Sequence, residues 1–380
     1  MQGLYLHIPF CEKKCVYCDF YSIESTGLID AFVDRLLVEL SMRSDRSTPC
    51  TSIFFGGGTP SLLTPLQMER ILDRVHACYS VAPDAECTME CNPGTVTIEN
   101  LRAYRSLGMN RLSFGVQSFN EVELTFLARI HNADDADQAM LLARKAGFDN
   151  VNMDLMFALP PQTMESLAYS VDRMLALEPD HISAYSLIFE PGTPLYTQWK
   201  KGTVNPHAEE FDAAMYAHVM DRLAGSGYEQ YEVSNFARNG RTCRHNLTYW
   251  HAEPYIAVGP SAHGLLGNTR YWNHRSLTAW GARVDAGEVP QANTEVLDTT
   301  AKLVEYTFLH LRADGLPVHA FRHRFGIDAR LALQPHLQHW LDADMVRDTG
   351  DVLRLTREGY AVCDDITVTA IDALERAYLG

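Results

Sequence analysis

Over residues 3–188, short apolar runs of β type alternate with longer stretches whose apolar positions recur at helical spacing. The runs are LYLHI at 4–8, SIFF at 52–55, CTME at 87–90, RLSFGV at 111–116, VNMDLMF at 151–157 and HISAYSL at 181–187. Between the first two, Ile29, Phe32, Val33, Leu36, Leu37 and Leu40 share one helical face, which predicts a helix with that face in the core. The next helix is expected to begin at TPLQ. There Thr64 can cap, Pro65 suits the first helical position and Gln67 can close a capping box. Gly108 and Gly147 stand where left-handed C-terminal caps are needed.

Alternation of this kind predicts a parallel sheet, because parallel neighbours need crossover helices. A closed eight-stranded barrel typically takes about 250 residues. The expected fold is therefore α/β: a partial (β/α)6 barrel, open along one side, over residues 1–204. From about residue 205 the rhythm changes. A helix around Phe211 to Leu223 leads into a turn-rich stretch to about 275, followed by mixed helical and short strand-like segments. Residues 205–380 are expected as a smaller α+β C-terminal domain, since 380 residues exceed what one core usually holds.

Composition narrows the function classes. With 46% hydrophobic and 21% charged residues and no low-complexity stretch, the chain reads as folded. A net charge of −16 disfavours nucleic acid and anionic membrane as general partners. No run of about 18 apolar residues predicts a span, and MQGLYLHIPFC lacks the features of a signal peptide. The expected location is the cytoplasm, with any membrane attachment peripheral, at the inner face. In that reducing compartment the nine cysteines are expected to be metal ligands where clustered and core thiols where scattered.

Cys11, Cys15 and Cys18 are clustered, in the spacing C-x3-C-x2-C. A structural zinc site is closed by four ligands, and His7 is the nearest candidate fourth. An iron–sulfur cubane held by three thiolates instead leaves one iron without a protein ligand. FFGGGTPS at 54–61 adds consecutive glycines at a strand end, where backbone can approach a ligand closely. Polar residues then recur at the C-terminal ends of strands, where barrel sites form: Tyr5, Glu90 in MECNPG, Gln117 in GVQSF and Asp154. Each alone could be a satisfied core polar group.

The cysteine spacing together with the glycine run resembles the radical S-adenosylmethionine (radical SAM) superfamily. GGGTP, ECNPG, GVQSF and RIH in this order resemble its coproporphyrinogen dehydrogenase-like branch. The resemblance implies a [4Fe–4S] cluster on Cys11, Cys15 and Cys18. It also implies S-adenosylmethionine in contact with Tyr5, Tyr17, Gly57, Gly58, Thr59, Glu90, Gln117, Arg129 and Asp154. Acidic groups suit the amine, sulfonium and ribose of that cofactor; a cation or amide suits its carboxylate.

Within the branch, the dehydrogenases carry a further cysteine two residues after the third and a long arm before the motif. Here that position is Phe20, and ten residues precede Cys11. The whole chain, including PYIAVGPSAHG at 254–264, resembles the HemW-type haem chaperones instead. HNLTYW at 245–250 resembles their H-N-x-x-Y-W motif, which implies haem as a third cofactor with His245 taking part. A neutral imidazole can ligate iron, and Tyr249 and Trp250 can stack on a macrocycle. The alternative is a loop histidine with two aromatics at a domain interface. Cys243 is a weaker ligand candidate, and Cys50, Cys78, Cys87, Cys91 and Cys363 read as core thiols.

The resemblance thus implies a chaperone delivering haem to membrane-associated respiratory haem proteins, with a homodimer left open. The competing reading is an oxygen-independent coproporphyrinogen III oxidase that decarboxylates propionates by radical chemistry.

Overall fold

The computed structural model describes all 380 residues. Six strands form the parallel centre: β1 (Gln2–Ile8), β2 (Asp45–Gly57), β3 (Tyr79–Cys91), β4 (Arg111–Gln117), β5 (Val151–Phe157) and β6 (His181–Ser186). They lie side by side in chain order, each parallel to the next, as successive right-handed crossovers dictate. All six expected runs are strands. β2 and β3 begin earlier than the apolar runs do, with register irregularities in the added N-terminal halves. Both faces are covered, which explains near-continuous apolar sequence in place of alternation.

The helices follow the sequence closely. Ile29–Met42 buries Phe32, Val33, Leu36 and Leu40, and Pro65–Cys78 starts with the expected Thr64–Gln67 capping box. Gly108 and Gly147 both adopt positive φ after helices.

β1 and β6 do not pair, so the barrel stays open, and both edges are extended. The chain after residue 204, read from its rhythm as a second domain, supplies six more strands to this same sheet. They are β7 (Glu229–Gln230), β8 (Asn235–Ala237), β9 (Tyr255–Val258), β10 (His263–Leu266), β11 (Thr269–Asn273) and β12 (Gln291–Val296). β8 and β7 continue antiparallel from β6, whereas β9 pairs parallel with β1 and leads into an antiparallel run of β10, β11 and β12. An open strand edge is a row of unpaired backbone groups, and these additions satisfy it.

A separate three-stranded sheet, β13 (Leu316–Pro317), β14 (Val346–Asp348) and β15 (Val352–Leu355), packs with the helices Thr299–Leu311 and Cys363–Leu379. Buried apolar contacts run continuously from Leu4 to Leu374, so this part shares the core. No helix is long and apolar enough to cross a membrane.

Candidate cofactor site

Alternate residues of β3 to β6 point to the inside of the open barrel. Register pairs Glu90 with Ser113, Ser113 with Asn152, Asn152 with His181 and Asp154 with Ser183, setting a polar row across four strands. The row is tightly bonded. Asn152 donates to Ser113 Oγ and Asp154 Oδ1, both at 2.7 Å, and Tyr185 donates its hydroxyl to Asp154 Oδ1 at 3.0 Å.

At the C-terminal ends of these strands lies a cavity of about 630 Å³. Tyr17, Cys18, Gly58, Thr59, Glu90, Gln117, Arg129 and Asp154 all line it. Sequence motifs far apart in the chain therefore meet at one mouth. Glu90 accepts the Gly57 N–H at 3.0 Å. Burial, then the nearby Asp154 carboxylate, push the Glu90 pKa up to about 7, and burial also raises Asp154. Arg111 offsets the rise only in part and neither carboxyl forms an ion pair, so a cationic ligand would supply a partner.

Gln117 and Arg129 carry the complementary signal. The Gln117 backbone sits at φ 69°, strained for a non-glycine residue, and its buried Oε1 has no partner. Arg129 donates Nη2 to the Gly115 carbonyl at 2.6 Å and Nη1 toward Cys15 Sγ at 3.4 Å, while its buried Nε is unpartnered. Orphaned buried polar atoms are rare in folded proteins, and here they face one cavity. Gly58 admits nothing larger: a Cβ there would lie 2.6 Å from the Phe10 carbonyl oxygen and 2.7 Å from that of Ile8.

The three clustered cysteines are free thiols, each partly exposed, on the loop after β1. Their side chains are not drawn into a closed ligand group. The surroundings nevertheless suit thiolates. Thr59 Oγ1 donates toward Cys11 Sγ at 3.6 Å, and Arg129 sits on Cys15. Burial raises the thiols of Cys11 and of Cys18, the latter to about 11, so ligating a metal there releases protons. Cys50, Cys78, Cys87, Cys91, Cys243 and Cys363 are buried, as expected of core thiols.

Tyr5, Gly57 and His245 fall elsewhere. They line a second cavity of about 520 Å³, which shares Asp19, Phe20 and Glu90 with the first. HNLTYW forms a short helix, Arg244–Trp250, and not a loop. Its N-terminus is held by Glu86, a residue the sequence reading passed over, whose carboxylate accepts the N–H groups of Arg244 at 3.1 Å and His245 at 3.2 Å.

His245 departs from the expectation of an imidazole open to a ligand. Its side chain is fully buried, stacked on Phe54 at 5.0 Å, with Nδ1 bonded to Ser52 Oγ at 2.9 Å and Nε2 to the Tyr249 hydroxyl at 2.7 Å. It is neutral as expected, since burial and then the Arg111 charge lower its pKa to about 3. Both nitrogens, however, are engaged. His7 is in the same position. Nε2 faces the Tyr21 carbonyl at 2.8 Å and so must carry the proton, leaving Nδ1 to accept from the Tyr5 hydroxyl at 3.1 Å.

Tyr185, Asn152 and Ser113 were also missed. Their signal was available: polar residues at alternate positions inside otherwise apolar strands.

Known proteins resemble this chain along nearly its whole length. The Radical SAM superfamily model matches residues 5–174, and the HemN C-terminal domain model matches residues 297–362. The heme chaperone HemW of Bacillus subtilis is 34% identical over 372 residues, covering 96% of this chain and 98% of that protein. The heme chaperone HemW of Escherichia coli is 41% identical over 270 residues, 70% of each chain. Among solved structures, coproporphyrinogen III oxidase (HemN) from Escherichia coli, a radical SAM enzyme, superposes with a TM-score of 0.83 over 97% of this chain and 89% of that one. At 22% identity that likeness speaks for the fold alone.

Proposed function

The chain belongs to the heme chaperone HemW family, and from that premise we propose that it binds haem and passes it to membrane-associated respiratory haem proteins. On this reading it works in the cytoplasm, meeting the inner face of the membrane peripherally. The observation that carries the proposal is the match of relatives so described along nearly the full chain, both its halves included.

Cys11, Cys15 and Cys18 would hold a [4Fe–4S] cluster, for which three thiols beside the donors Thr59 and Arg129 are a fitting set. Such a cluster offers its fourth iron to a ligand from outside the protein. Glu90 and Asp154 would hold the cationic parts of S-adenosylmethionine; Arg129 and Gln117 would hold its carboxylate. Supporting this are the raised carboxyl pKa values and the unpartnered Arg129 Nε and Gln117 Oε1.

The coproporphyrinogen oxidase reading has a fold likeness at 22% identity and the HemN C-terminal domain model over residues 297–362, against a relative described as a heme chaperone at 34% identity along nearly the full chain. One experiment separates the two. Anaerobically reconstituted protein is titrated with haem and, separately, incubated with coproporphyrinogen III, S-adenosylmethionine and a reductant. Stoichiometric haem binding without decarboxylation is expected. Robust decarboxylation, or no haem binding, overturns the proposal.

A further inference from the structure

Three histidines line the second cavity, and they are not equivalent. His7 and His245 have both ring nitrogens hydrogen bonded. His263, the first residue of β10, is exposed, and neither of its ring nitrogens is hydrogen bonded to the protein. Its only ring neighbour is Trp272, stacked at 5.8 Å and 19°. Around it are a wall of Tyr5, Phe54, Tyr249 and Tyr255, the exposed face of Phe20, and one cation, Arg275. A cavity of 520 Å³ is within the range that holds cofactor-sized ligands, roughly 300–1,000 Å³.

The segment that presents His263 is rigid. Gly259 packs so closely on β1 that a Cβ would stand 2.5 Å from the His7 carbonyl oxygen. Its N–H donates to the buried Glu39 carboxylate at 2.8 Å, and its carbonyl accepts from Asn273 at 2.8 Å. Ser261, also lining the cavity, takes φ 64°, a strained value held by its N–H bond to the His274 carbonyl at 3.0 Å. Fixing an imidazole with no hydrogen-bond partner at a cavity rim by strained backbone costs stability, and the stacking on Trp272 needs neither ring nitrogen. It is the arrangement a metal ligand needs.

Resting on the haem-binding reading, we propose that this second cavity is the porphyrin site, with His263 as the axial ligand to iron. The aromatic wall takes a macrocycle face. Arg275 receives a propionate in exchange for Asp19, which it now contacts only at 3.2 Å through the carbonyl and 3.5 Å through the carboxylate. His245 is then part of the wall.

The test is a titration of ferric haemin into cluster-free wild type, His263→Ala and His245→Gln, read by Soret position and by electron paramagnetic resonance. The proposal expects His263→Ala to lose the imidazole-ligated spectrum and to weaken binding by at least about tenfold, the lower end for disturbed metal ligation. Added imidazole should restore the spectrum in that variant. His245→Gln should keep an imidazole-ligated spectrum, even where the loss of a ring from the wall lowers affinity. A wild-type spectrum in His263→Ala, or loss of ligation in His245→Gln with circular dichroism unchanged, overturns the site while leaving the chaperone reading intact. Failure of the wild type to bind haemin overturns both.

Discussion

The two cavities share Glu90, Asp19 and Phe20 but are built on different principles. The first is made by the ends of successive parallel strands, is rich in carboxyl and amide groups, and leaves buried polar atoms unpartnered. The second lies where β1 meets the added strand β9, is walled by aromatic rings, and has its histidines neutral and mostly satisfied. A barrel mouth collects charge because every strand delivers one inward residue there; a seam between strand groups collects rings because side chains must fill it. One fold can therefore hold a small cation and a flat apolar ligand side by side.

The comparison predicts separable defects. The largest is expected from Cys15→Ala, which should abolish cluster iron and sulfide after anaerobic reconstitution yet leave haemin affinity within about twofold, since in the proposed site one imidazole and the rings would carry it. Loss of haemin binding as well would show that the cavities act as one. Next, Glu90→Ala and Asp154→Ala should each weaken S-adenosylmethionine by about tenfold or more, as a charge-assisted hydrogen bond is worth about 1.5–3 kcal/mol. Calorimetry with unchanged affinity in both would make these acids structural. Glu86→Ala removes the cap of the helix Arg244–Trp250 and should cost about 0.5–2 kcal/mol in chemical denaturation, with S-adenosylmethionine affinity untouched.

The smallest effect is in pH dependence, and its sign differs between the cavities. Folded Glu90 has a pKa of about 7 against an ordinary 4.5, so the folded state binds its proton more tightly; that stabilisation is full below 4.5 and lost as pH rises through 7. Folded His245 has a pKa of about 3 against 6.5, so its stabilisation is full above 6.5 and lost as pH falls toward 3. Thermal midpoints should then show wild type losing ground to Glu90→Gln from pH 5 to 7.5, and to His245→Gln from pH 7 down to 4.5. The same slope in both variants would contradict the contrast.

The two cavities also differed in how far sequence revealed them. Glu90 and Gln117 stand in short motifs at strand ends, Cys18 in the loop after β1 and Asp154 within β5, and order along a parallel barrel brings these places together. The second cavity joins residues 5–21 with residues 245–275 through the β1–β9 pairing, which no local periodicity announces. For the same reason the strands that residues 229–296 add to the central sheet were not legible: they are short, and their partner edges lie in another part of the chain. His245 was legible as neutral and placed among aromatics. Its engagement by Ser52, 193 residues away, was not.

The pairing of Gly3 with Tyr255 also sets an order of events during synthesis. All residues lining the first cavity have left the ribosome's active site once Glu190 is added, whereas the second waits for Arg275. At roughly 5–20 residues per second, the 85 residues between them take about 4–17 s. Until β9 is made the edge of β1 is bare while the cysteine loop already exists, so on the proposed sites a nascent chain can meet iron and sulfide before it can hold a porphyrin.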